Sequence, residues 1–160
     1  MSDSAEIKIR IPLVGMERSA NLQYERIWAD PRGDDLYQVW NLPAYAYNIE
    51  MADVVRCRKS SDQELDVIEV VEKSGSVGVW LYFSSDCTID DVSHAILEIT
   101  NAGDRRPTFE KFADGFWGVS FRDQQHFKEV LPIMNTLLGT MNVKHELVAQ
   151  PDKPFWRSTQ

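Results

Sequence analysis

A change of hydrophobic period near the middle of the chain most constrains what it can become. Before Ser74-Gly75-Ser76, apolar residues fall in short β-branched runs that alternate with polar ones. After it, two stretches carry apolar residues at helical spacing. A period of two lines one face of a strand, and a period near 3.6 lines one face of a helix. The expected class is therefore α+β. Residues 1–75 make a small all-β sheet or partial barrel, packed on a mixed half at 76–150, with a tail at 151–160.

In the first half, Ile7 to Ile11 reads as a half-buried strand that Pro12 ends or marks as an edge. Leu22 to Ala29 reads as a second strand, stopped by the turn-like cluster Asp30-Pro31-Arg32-Gly33-Asp34-Asp35. Leu36 to Asn41 returns as the other arm of a hairpin. Leu42 to Tyr47 is irregular. Asp53 to Lys59 and Leu65 to Lys73 form another hairpin around Ser60-Ser61-Asp62.

In the second half, Val77 to Phe83 is a strand. Thr88 caps a helix, paired with Asp91 three residues on, and Ile89, Val92, Ile96 and Ile99 form its stripe. Gly103 is the expected stop. Thr108 to Phe112 and Phe116 to Arg122 pair around Asp114-Gly115. Asp123 caps a second helix with Phe127, Val130, Met134, Leu137, Leu138 and Met141 on its apolar face. Pro132 is expected to kink or divide it. Val143 to Ala149 is the last strand, and Phe155 and Trp156 dock the tail. The order β-α-β-β-α-β is the ferredoxin-like plan, with both helices on one sheet face.

The 160-residue chain has a formal net charge of −8, spread over both halves. Phosphate binding needs a basic patch, so nucleic acid is a poor partner and a basic protein a better one. No apolar run is long enough to span a bilayer, so no membrane partner is expected. Met1 to Glu6 lacks the features of a signal peptide, so the expected location is cytoplasmic. Cys57 and Cys87 are too few for a disulfide framework.

The residues of catalysis do not assemble into a pattern. His94, His126 and His145 have no histidine or cysteine at ligand spacing, so no metal is expected. No Gly-rich loop opens a helix, no Ser or Cys stands in a nucleophile elbow, and no cofactor is expected. The pairs Asp34-Asp35 and Asp90-Asp91 belong to a turn and a helix start, without the apolar pocket that makes a carboxyl an acid catalyst. What remains is a binding face. Tyr45, Tyr47, Trp80, Tyr82, Phe116 and Trp117 lie near predicted strand edges or the irregular 42–50 segment. Tyr and Trp are the residues of interface anchors, although most large aromatics are core. Asp30, Asp34, Asp35, Glu50 and Asp53 are placed as an acidic rim around Tyr45 and Tyr47.

Four segments carry a family resemblance: Glu25-Arg26-Ile27-Trp28, Tyr37-Gln38-Val39-Trp40-Asn41-Leu42-Pro43, Asp53-Val54-Val55-Arg56 and Val70-Val71-Glu72-Lys73-Ser74-Gly75. In order and spacing, residues 25–83 resemble the bacterial family known as domain of unknown function 4265. After Ser-Gly that family tends to run to an arginine; Ser76-Val77-Gly78-Val79-Trp80 lacks it here. The resemblance implies a small bacterial protein of a kind found in some cases beside toxin genes, and hence a role in immunity. The expected function is a non-catalytic binding protein, most concretely an immunity protein that neutralises a basic toxin domain by direct binding. A small-molecule-sensing regulatory module and an enzyme with a dispersed active site are the alternatives.

Overall fold

The structure is a computed structural model, and it describes residues 6–14, 22–101, 106–141 and 144–149. The expected helix stop at Gly103, the start of the last strand at Val143 and the aromatic tail with Phe155 and Trp156 lie outside the described residues. The chain divides into two compact units, Met1–Ser76 and Val77–Gln160. It is an α+β protein built mostly of strands.

Unit 1 is a closed five-stranded barrel of β1 (Ile7–Pro12), β2 (Tyr24–Gly33), β3 (Leu36–Val39), β4 (Val54–Lys59) and β5 (Leu65–Glu72), in that order. Alternation selects its interior. Ile9, Ile11, Ile27, Ala29, Val39, Val55 and Cys57 all turn inward and are buried together. Each successive pair is antiparallel. An odd number of alternating strands leaves the first and last pointing the same way, so the closing pair β1–β5 is parallel, in register at Arg10↔Asp66.

An ion cluster holds that seam. Arg10 is 5% exposed. Its guanidinium donates to Asp66 at 2.5 and 3.0 Å and to Asp62 at 2.8 Å, and lies 4.1 Å from the centre of the Tyr24 ring. Hydrogen bonds from the Ser60 hydroxyl and from Arg10 hold the Asp62 carboxyl down at about 2.

β2 runs further than its sequence suggested. The strand continues through Asp30, Pro31 and Arg32, and only Asp34 and Asp35 make the turn. The register shifts between Pro31 and Gly33, so a bulge accommodates the residue that lacks a donor. Asp34 and Asp35 take left-handed φ angles of 51° and 62°, the conformation of a tight hairpin turn that Asp tolerates.

Unit 2 has strands β6 (Val77–Phe83), β7 (Thr108–Ala113), β8 (Phe116–Phe121) and β9 (His145–Ala149), and helices α1 (Ile89–Asn101) and α2 (Gln124–Thr140). The sheet order is β7-β8-β6-β9, with every neighbouring pair antiparallel. Val77, Val79, Leu81, Val119 and Phe121 pack with Val92, Ile96 and Ile99 of α1 and Phe127, Met134 and Leu138 of α2 in one core. Both helices therefore cover the same sheet face. Thr88 and Asp91 exchange the capping-box bonds at 3.1 and 3.3 Å. Asp123 caps α2 by accepting from the His126 N–H at 2.8 Å. Pro132 is expected to kink or divide the second helix; α2 runs through it as one helix and is not divided. Ile89, expected on the buried stripe, is 66% exposed at the first helical position, and Ala95 is buried instead. No helix among the described residues is long and apolar enough to cross a membrane.

Candidate functional site

The β2–β3 hairpin sets two tryptophans side by side on the outside of the barrel. Ala29 pairs with Val39 and both point inward, so their neighbours Trp28 and Trp40 point outward across the same step of the ladder. The Trp40 N–H donates to the Trp28 carbonyl at 2.9 Å, and the Asn41 side-chain oxygen accepts from the Trp28 N–H at 2.8 Å. Trp28 is 42% exposed and Trp40 47%. Lys8, paired with Trp28 from β1, places its ammonium 4.9 Å from the indole centre.

The acidic residues predicted for a binding rim divide into two groups. Asp34 and Asp35 stand exposed at the tip of this hairpin. Asp30 is half-buried on β2, level with Gln38 and on the same outer face as Trp28. Tyr45 is exposed and Tyr47 half-buried in the 42–50 segment. Glu50 and Asp53 are buried, Asp53 completely, and do not form an exposed rim. The Asp53 carboxylate accepts from the Glu50 N–H at 2.9 Å, the Ser74 N–H at 2.8 Å and the Lys73 ammonium at 2.6 Å. It is a brace between the segment before β4 and the end of β5. Its burial is the reason it binds main-chain donors rather than water.

Glu25 has the same character. Its carboxylate accepts from the N–H groups of Ala44, Tyr45 and Ala46 at 2.5 to 3.0 Å. Lys73 also donates to the Asn48 carbonyl at 2.7 Å, and the Ser74 hydroxyl to that of Met51 at 2.7 Å. The residues that carried the family resemblance thus fasten the irregular 42–53 segment to the barrel. Positions 48 and 52 in that segment have left-handed φ angles of 61° and 69°, and such a conformation needs tethering.

Sequence reasoning passed over Trp28 and Trp40. The signal was present: in a strand where Ile27 and Ala29 face the core, Trp28 must face out. In unit 2, Tyr82 and Phe116 stack at 4.6 Å on adjacent strands, with Phe112 edge-on to Phe116 at 4.9 Å. His94 is exposed. His126 is buried, and its Nδ1 accepts from the Arg122 N–H at 3.0 Å. Among the described residues no group of three or more His, Cys, Asp or Glu could hold a metal ion.

No curated protein matches this sequence. The fold is similar to that of a hypothetical protein from Neisseria gonorrhoeae of known crystal structure. The TM-score is 0.62 and the identity 16%, over 91% of this chain and 95% of that one. At that identity the likeness concerns the fold alone. The family model described as Domain of unknown function (DUF4265) matches residues 25–141, well over half of the chain, and the chain belongs to that family.

Proposed function

We propose that this chain is a non-catalytic binding protein that engages a basic protein through the outer face of the β2–β3 hairpin, most concretely a bacterial immunity protein holding a toxin domain. The observation that carries the reading is the exposed Trp28–Trp40 pair on the same hairpin as Asp34 and Asp35. Tryptophan is among the residues most enriched as anchors of protein interfaces. Asp34 lies six positions beyond Trp28, roughly 20 Å along the strand. A standard interface of about 800 Å² a side is roughly 30 Å across, so anchors and acidic tip fit within one patch. The acids then act on encounter and the indoles on residence time.

The same reading takes residues 77–149 as ferredoxin-like, supported by the β-α-β-β-α-β order and the strand order β7-β8-β6-β9. It takes the location as cytoplasmic, with which the free thiols of Cys57 and Cys87 agree.

The test is parallel capture from the native cell with wild-type bait and with a Trp28→Ala/Trp40→Ala bait of unchanged circular dichroism. A basic protein held by the first and lost from the second is expected. It should associate more slowly as salt rises. Identical catches from both baits would remove the tryptophans from the interface.

A further inference from the structure

A second site lies in unit 2, where the loop after β6 meets the start of α1 and the β7–β8 turn. A cavity of about 310 Å³ opens there. That is the lower end of the roughly 300–1,000 Å³ typical of small-molecule sites. Its lining includes the buried side chains Phe83 and Val92 together with half-buried Trp117. Its exposed lining carries the hydroxyls of Ser85, Thr88 and Ser93.

The walls are preformed. The Ser84 N–H donates to the Lys144 carbonyl at 2.9 Å, the Cys87 N–H to the Ser84 carbonyl at 3.0 Å, and the Phe83 N–H to the Gly115 carbonyl at 2.8 Å. A site that needs no ordering loses little entropy on binding. Ile89 also lines the cavity and is 66% exposed, an apolar side chain that an occupant would take out of water.

Charge selects the occupant. Lys111 and Asp114, the ionised residues of the lining, already pair with each other at 2.9 Å. The start of α1 is closed to anions, because Thr88 and Asp91 satisfy its cap and Asp90 and Asp91 fill its first turn. A cation finds no spare carboxylate in the lining, and its burial against Phe83 and Val92 is unfavourable. We propose that this cavity binds a small uncharged aromatic molecule, its ring against Phe83, Val92 and Trp117 and a polar substituent toward the hydroxyls. The inference concerns unit 2 and does not depend on the hairpin interface.

Three ring compounds of similar size separate the possibilities: indole, benzoate and benzylamine, titrated into the ¹⁵N-labelled full-length chain. Indole should shift the Cys87, Thr88 and Ser93 amides and the Trp117 indole N–H saturably. Benzoate and benzylamine should bind at least about tenfold more weakly. Saturating indole should also slow alkylation of Cys87, a residue of the cavity lining. Ser93→Trp, a change at an exposed helical position, should fill the site and abolish these shifts with the rest of the spectrum intact. The Trp28→Ala/Trp40→Ala chain should bind indole unchanged. Non-saturating shifts, shifts scattered outside the cavity, or benzoate or benzylamine binding as tight as indole would overturn the assignment. So would undiminished binding by Ser93→Trp. Were that variant misfolded, unaltered Cys87 alkylation in the indole-loaded wild type would do the same.

Discussion

Replacing Asp53 by Ala should destabilise the barrel unit rather than disable a binding face. The carboxylate is fully buried and accepts three hydrogen bonds. Its loss strands the Glu50 N–H in a buried place, at about 1–3 kcal/mol. The Ser74 N–H and the Lys73 ammonium lie at exposed residues and can turn to water, so each costs about 1 kcal/mol. The expected loss is about 3–5 kcal/mol, the largest part of it from the buried Glu50 N–H left without its acceptor. Asp53→Asn preserves the shape but sets an amide donor among donors, and should lose about 2 kcal/mol. Lys73→Met, at a half-exposed side chain, should lose about 1 kcal/mol or less. Urea unfolding followed by circular dichroism measures all three. Amide exchange in β4 and β5 assigns the loss to the barrel. An Asp53→Ala protein destabilised by under about 1 kcal/mol, yet deficient in partner capture, would refute this reasoning and return Asp53 to the interface.

The two thiols should part company on alkylation. Burial pushes the Cys57 thiol up to about 12 and hides it in the barrel, so the native protein should take label at Cys87 and not at Cys57, as peptide mapping would show. Acid should erode the barrel seam. The folded Asp62 carboxyl is depressed from 3.8 to about 2, so its contribution is complete above about pH 5 and disappears as pH falls through 2. The stability difference between wild type and Asp62→Asn should therefore shrink between pH 5 and pH 2 in urea titrations. Ala52→Gly should raise stability by about 0.5 kcal/mol. Relief of the left-handed φ of 69°, about 1–2 kcal/mol, outweighs the extra freedom of the unfolded glycine, about 0.4–1 kcal/mol. An unchanged or lower melting temperature would count against strain at that residue.

Local patterns were readable and distant pairings were not. The strands, both caps and the buried stripes of α1 and α2 follow from residues within a few positions of each other, and the sequence displays them. Barrel closure depends on Arg10 meeting Asp66, far apart in the chain, and no local pattern encodes that meeting. Glu25 and Asp53 look in sequence like any surface acid. Their roles come from N–H groups that arrive from Ala44–Ala46 and Ser74. β2 runs past the turn that Pro31 and the Asp–Gly composition around it signal, because a bulge absorbs the proline. Tyr45 and Tyr47 stand out in the sequence by density, whereas Trp28 and Trp40 are marked as exposed only by the inside–outside parity of β2 and β3.

The parallel seam has a consequence for how the barrel is made on the ribosome. Strands β2 to β5 can pair with neighbours as each one emerges, since every one of those pairs joins consecutive strands. Of the five barrel strands β1 leaves the exit tunnel first, and after pairing with β2 it waits with one edge open. Its other neighbour is β5, so Arg10 stays without its carboxylates until Asp62 and Asp66 have emerged. Until then the nascent chain presents an unpaired edge and a cation poised for burial, both open to another copy or to a chaperone. Slowing translation before β5 has emerged should lengthen that exposure and increase aggregation, while slowing it once β5 is clear of the tunnel should leave the closed barrel unaffected.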